Sequence, residues 1–291
     1  MANLKEVKER INSVSSTQQI TKAMKMVAAA KLRKAQEKII QMRPYSQKLT
    51  AILNNISSGT EGSVDIVYAE ERAVEKVLLI PITSDKGLCG AFNSNVLKAA
   101  TYKLETDFLG KQVTVMPIGK KALDFFKKRE MPLITDFASL FLDVSFENVK
   151  MAAEYAMVAF ETGFYDKVVL VFNEFKNVAT QFVQTEQFLP IEKNETGDSN
   201  PNPVDYIVEP SREYIIEELI PNSLKIQFYK AILDSNASEH GARMTAMDKA
   251  TENANDLLKE LKLVYNRTRQ AAITNEILEI VAGAEALSSS K

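Results

Sequence analysis

The chain has 291 residues, with 36 Lys/Arg, 38 Asp/Glu and a net charge of −2; 45% of it is apolar and 25% charged, a balance that fits one large or two smaller folded domains. One cysteine, Cys89, and one histidine, His240, exclude an internal disulfide, a cysteine-based zinc site and a histidine-rich metal centre. No apolar run reaches the roughly 18 residues of a membrane span, and the opening residues lack the apolar core expected of a secretory signal.

Residues 1–58 contain no glycine and a single proline, Pro44. Apolar or small residues recur there at spacings of three and four: Leu4, Val7, Ile11, Val14, then Ala28, Leu32, Ala35, Ile39 and Met42. This is a heptad seam, and it predicts one long helix from about Ala2 to Ser58. Pro44 is expected to bend it, and Gly59 to Ser63 to end it. Between the apolar stretches the seam turns polar at Gln18, Thr21 and Lys25. Such positions fix register or face a different partner. Residues 1–48 carry eleven Lys/Arg against Glu6, Glu9 and Glu37. That bias fits either an anionic partner surface or a solvated helix face.

From Glu75 onward the pattern changes to α/β. Val77 to Ile80 predicts a buried strand, followed by the loop Ser84-Asp85-Lys86-Gly87-Leu88-Cys89-Gly90 and a helix from near Gly87 to Phe108. Val113 to Met116 predicts a second strand, Lys120 to Lys128 a helix, and Leu133 to Thr135 a weaker third strand. Phe146 to Thr162 reads as helix and Val168 to Phe172 as a fourth strand. Asn173 to Pro190 then forms the return half of a hairpin turning near Lys176-Asn177. Glu192 to Pro203 is a polar loop, Val204 to Val208 a last strand, and Ser211 a helix N-cap, with Pro221 expected to break or kink the helix that follows. Alternating strands and helices predict an open, mostly parallel, Rossmann-like α/β sheet.

From Asn222 to Lys291 there is no proline and only Gly241 and Gly283. Met244, Met247, Thr251, Ala254, Leu258, Leu261, Tyr265, Thr268 and Ala272 form a second seam. One helix of that length would measure roughly 105 Å and needs a partner for its stripe. The N-terminal helix supplies one, giving an antiparallel two-helix coiled coil. The predicted division is 1–58 and 211–287 as coiled-coil helices around a central α/β domain at 75–208. The tail behaves differently from the seam before it. Ile273, Ile277, Ile280, Ala284 and Leu287 are joined by Leu278, Val281, Ala282 and Ala286 on other faces, and no Lys or Arg occurs between Arg269 and Lys291. A helix apolar nearly all round is enclosed, and one partner helix covers only one stripe. Another protein is therefore expected around this tip.

Two other readings remain open on the residues. The first βα loop sits where doubly wound folds bind nucleotides, which raises an α/β nucleotide-binding enzyme. Yet it spells neither Gly-x-Gly-x-x-Gly nor a P-loop, and Lys86 precedes its first glycine. Cys89 near a helix start could be a nucleophile, but the only histidine is distant in sequence, and a buried inert thiol is the simpler reading. His240 is expected on the helix surface or seam. The basic run from Lys22 to Lys38 raises a coiled-coil nucleic-acid binder, but no aromatic precedes Tyr45 and no binding module is present.

Several stretches together resemble one family. Ile273-Thr274-Asn275-Glu276-Ile277-Leu278-Glu279-Ile280-Val281-Ala282-Gly283-Ala284-Glu285-Ala286 resembles the C-terminal signature of the gamma subunits of F-type ATP synthases. The stretch from Thr17 to Lys31, Arg43-Pro44-Tyr45, Asp85 to Gly90, and Ser238 to Met247 resemble that family in the same order. The resemblance implies the central stalk of the F1 motor, turning inside a ring of three alpha and three beta subunits. It also implies contact with the epsilon subunit and the c-ring of Fo, no cofactor and no active site. Position by position it implies a partner-contact and coupling set of Met24, Lys25, Arg243, Arg269, Gln270, Thr274, Glu276 and Glu279. Met24 would face an acidic loop of beta, and Arg269 and Gln270 a beta loop that grips the rod. Asn275 replaces a glutamine common in the family, and the cysteine pair inserted in chloroplast relatives is absent. With no transit peptide expected, the implied location is the cytoplasmic face of a bacterial inner membrane, reached only through partner subunits.

Overall fold

A computed structural model of the chain describes residues 4–58, 67–178, 180–191 and 212–289. The expected helix stop at Gly59 to Ser63, the loop from Glu192, the strand at 204–208 and the cap at Ser211 lie outside these residues. The chain forms two compact units, Met1–Val27 with Met244–Lys291, and Ala28–Arg243. The helices α1 (Leu4–Ser58) and α5 (Arg212–Ser289) each contribute to both.

The larger unit is built on a four-stranded sheet. Its strands are β1 (Lys76–Pro81), β2 (Gln112–Val115), β3 (Lys167–Phe175) and β4 (Gln181–Leu189), in the order β2-β1-β3-β4. β1 pairs in parallel with β2 and β3, and β4 returns antiparallel to β3. The expected third strand is reduced to a single parallel bridge between Val115 and Leu133. Pro132 has no N–H to donate at its entry, so pairing is confined to Val115 N to Pro132 O and Ile134 N to Val115 O, each 2.9 Å.

The helices α2 (Phe92–Glu105) and α3 (Lys120–Lys127) cover one face, and α4 (Phe146–Glu161) with α5 covers the other. Leu78, Ile80, Val168, Leu170 and Phe172 point to the α4/α5 side, with Phe160, Phe228 and Ile232. Val77, Leu79, Val169 and Val171 point to the other, with Val96, Ala122 and Phe126. Burial on both faces explains why β1 and β3 read as unbroken apolar runs. α2 begins at Phe92, later than the expected Gly87, because Leu88 and Gly90 take left-handed φ of +66° and +59°. At Gly119, φ is +94° and an added Cβ would lie 2.0 Å from the Thr83 carbonyl oxygen. Only glycine fits there.

α5 runs unbroken through Pro221, against the expected break. Proline in a helix costs about 3 kcal/mol. Burial of Leu224, Phe228 and Ile232 against the sheet offsets that cost. Pro44 likewise sits inside α1, where Met42, Ser46 and Leu49 keep the inward stripe going on either side.

In the smaller unit the seams follow the sequence pattern as far as Thr268, while the expected last seam residue, Ala272, is exposed because no described part of α1 lies level with it. Val7, Thr21, Met247, Ala254 and Leu261 are buried, and the positions between the seam residues are mostly exposed. Three polar contacts set the pairing: Gln18 to Asn255 at 2.5 Å, Thr21 to Thr251 at 2.8 Å, and Lys25 to Asp248 at 2.5 Å. As the α1 number rises the α5 number falls, so the helices are antiparallel. The polar seam positions thus meet each other and fix register.

Candidate functional site

The predicted coupling residues fall at three places rather than one. The first is the polar layer of the helix pair. Lys25 is held by Asp248, and Met24 beside it is half-buried. Both partners of the ion pair keep side-chain exposure, 39% and 58%, so solvent screens it.

The second place is the end of α5. The numbers of each polar pair add up to about 273, so Leu4, the first described residue of α1, lies level with Arg269. Beyond that point α5 has no described helix beside it. Every described side chain from Arg269 to Ala284 is exposed, including Gln270, Thr274, Glu276 and Glu279. Thr274 donates its hydroxyl to the Gln270 carbonyl at 2.9 Å, a bond within the helix. Ile273, Ile277, Leu278, Ile280 and Val281 are 48–68% exposed. Apolar residues at all these angles around a helix have no explanation within the chain.

The third place is Arg243, in the larger unit. Its guanidinium donates to the carbonyls of Gly87 and Lys86 and to Glu239 Oε1, the latter two at 3.1 and 2.7 Å. It thereby ties α5 to the loop after β1. That loop occupies the switch point of the sheet, where α/β folds commonly bind nucleotides. Here the chain's own groups fill the positions a phosphate would use. The loop turns carbonyls, not N–H groups, toward the arginine. Asp85 Oδ1 accepts from the Lys120 N–H at 3.0 Å and Thr83 Oγ1 from the Ala122 N–H at 2.9 Å, so the first turn of α3 is already capped. Asn93 completes the loop, accepting from the Ser84 N–H at 2.9 Å and donating to Cys89 Sγ at 3.1 Å. Cys89 is buried, as the simpler reading of it required.

Of the two positions expected for His240, helix surface or seam, the structure excludes the open surface. Its side chain is only 12% exposed, and burial, aided by Lys31 and Arg243, lowers its pKa to about 4. It is therefore neutral at pH 7, and its Nδ1 has no hydrogen-bond partner among the described residues. Burial pushes Glu239 the other way, above the usual carboxylate range, with Arg243 opposing. Glu239, Asp248 and Asn255 were not singled out in the sequence, whereas Thr251 was already on the seam. An i,i+4 Glu–Arg spacing marked the first; Asp248 and Asn255 flank seam positions and carried no signal of their own.

A family model described as ATP synthase matches residues 3–287. The ATP synthase gamma chain of Flavobacterium johnsoniae is 58% identical over 290 residues, covering 99% of each chain. That of Cytophaga hutchinsonii is 56% identical over 293 residues, again covering 99% of each. The chain belongs to the ATP synthase gamma chain family. Among solved structures, a chain of the Euglena gracilis mitochondrial ATP synthase superimposes with a TM-score of 0.68 at 21% identity, covering 99% of this chain and 95% of that one. A chain from the central stalk and c-ring of the Tetrahymena thermophila mitochondrial enzyme gives 0.54 at 25% identity, covering 79% and 99%. The fold of this chain thus recurs in chains of distant sequence. Among the described residues no helix is long and apolar enough to cross a membrane.

Proposed function

We propose that the chain is the central-stalk rotor of an F1Fo ATP synthase, coupling proton-driven rotation to conformational change at the catalytic sites of the beta subunits. Its own residues break no bond. Its partners are the ring of three alpha and three beta subunits, the epsilon subunit and the c-ring. It sits peripherally on the cytoplasmic face of a bacterial inner membrane, held there by those partners. Residues 1–58 and 211–287 act as the shaft and 75–208 as the part that receives torque.

The observation that carries this reading is the bare end of α5, where Ile273, Ile277, Leu278, Ile280 and Val281 are exposed over a wide arc and no described segment covers them. A ring of subunits encloses such an end on all sides, as a single partner helix cannot. An asymmetric shaft inside a three-fold ring meets three subunits with three different surfaces. Its orientation then biases three coupled conformational equilibria, each by the difference in contact free energy between states. In this reading Arg269, Gln270, Thr274, Glu276 and Glu279 make those differential contacts at the tip, and Met24 and Lys25 at the polar layer. Arg243 acts indirectly, by holding the loop after β1 against α5.

The test is purification through a tag on this chain. Alpha, beta and epsilon subunits should come with it, and ATP hydrolysis by the complex should turn the chain. A chain recovered alone that hydrolyses ATP by itself would overturn the reading.

A further inference from the structure

A cleft of about 530 Å³ opens in the larger unit between β4 and α5. Glu174, Glu186 and Asp234 supply it with carboxylates, and Lys230 stands exposed at its edge. Two of the carboxylates are engaged. Glu174 accepts from Gln184 at 2.8 Å and Glu186 from Gln227 at 2.5 Å. Asp234 is different. It is 8% exposed, lines the cleft, and makes no hydrogen bond or ion pair with any described residue.

A carboxylate drawn largely out of bulk water with no partner is costly, and the Asp234 oxygens are left open only to the cleft. We propose that the cleft binds a small organic cation, an alkylammonium or guanidinium group, with Asp234 as its counter-ion. Charge supports this, since three carboxylates face one lysine. Size supports it as well, since the volume lies within the range of small-molecule sites and far above that of a single ion. An inorganic ion fits poorly, because no three acidic, histidine or cysteine side chains among the described residues converge to hold a metal. A cation head group would give Asp234 the charge-assisted bonds it lacks, and Glu186 on the facing β4 wall lines the same cleft for a second contact.

The site is also pH-dependent. Burial raises the Asp234 pKa to about 6, with Lys230 of α5 and Arg43 of α1 lowering it and Glu174 of β3 and Glu186 of β4 raising it. Protonation removes the counter-charge, so binding weakens as pH falls through that value. The proposal stands apart from the rotor reading and fails or holds independently of it.

Calorimetric titration of the full chain with spermidine, with arginine and with magnesium chloride tests it. Saturable one-site binding of spermidine or arginine is expected near pH 8, at least about tenfold weaker near pH 5 and in Asp234→Asn. The two organic probes tell an ammonium site from a guanidinium site. Lys230→Met should tighten binding by a few-fold by removing a repelling charge. The pH arm uses the wild-type chain, so it reads the carboxylate even if the amide variant does not fold. No saturable binding of either organic probe, equal binding at both pH values, or magnesium bound just as well would overturn the proposal.

Discussion

In the larger unit every residue from Val77 to Ile80 is completely buried, and the sheet has helices on both faces. In the helix pair burial is confined to a stripe that includes Val7, Thr21, Met247, Ala254 and Leu261, and every described side chain from Arg269 to Ala284 is exposed. The sheet unit satisfies its apolar surface within one chain. The helix pair satisfies half of its own and leaves the rest to another molecule. The lesson lies in α5, where similar residues recur before and after Arg269. Leu261 is buried because α1 runs beside it, and Ile277 is exposed because no described segment runs beside it. Hydrophobicity states the demand, and register decides which part of it the chain can meet.

This contrast predicts graded effects. Phe160→Ala in the sheet core should cost about 3–5 kcal/mol in denaturant unfolding, since Phe160 is fully buried between α4 and the sheet. Leu261→Ala in the helix pair should cost about 2 kcal/mol, because a single stripe lets the site partly refill from solvent. An equal cost at both positions would erase the distinction between the units.

Two buried titrating groups give the next effect. His240 has its pKa lowered to about 4, so the unfolded chain binds more protons below its ordinary value, and stability rises with pH between about 4 and 6.5. Asp234 has its pKa raised to about 6, so the folded chain binds more protons, and stability falls as pH rises from about 4 to 6. Each amounts to at most about 3 kcal/mol, and in the shared window they oppose each other. Asp234→Asn should stabilise the chain at neutral pH and steepen its loss of stability toward acid. A pH profile unchanged by that substitution would mean that folding does not shift the Asp234 pKa.

Smaller still is Lys25→Met, expected to change stability by about 0.5 kcal/mol, because the ion pair it removes is screened. Register should hold through the Gln18 and Thr21 contacts. Ile277→Ser should leave the stability of the free chain unchanged while impairing coupling or assembly, a split that an ordinary core residue would not produce.

Both seams were legible in the sequence because a 3.5-residue period survives whichever residue fills each position. β1 and β3 were legible because burial on both faces demands unbroken apolar runs. What escaped was set by long-range packing. Nothing local marks Leu88, a non-glycine, for a left-handed φ of +66°, and that turn delayed α2. Pro221 obeyed no local rule, because Ile220 before it and Leu224 and Phe228 after it pack against the sheet core. The coupling set was named by resemblance. Its separation into a polar layer, a loop clamp at Arg243 and a bare tip emerged only from the contacts.

Hydrogen exchange of residues 273–284, in the free chain and in the assembled complex, tests the central claim most directly. The backbone there should exchange fast in the free chain, where no described segment covers it, and become strongly protected on assembly while the sheet strands change little. Equal exchange of the tip in both states would show it bathed in solvent within the complex, and would contradict the account.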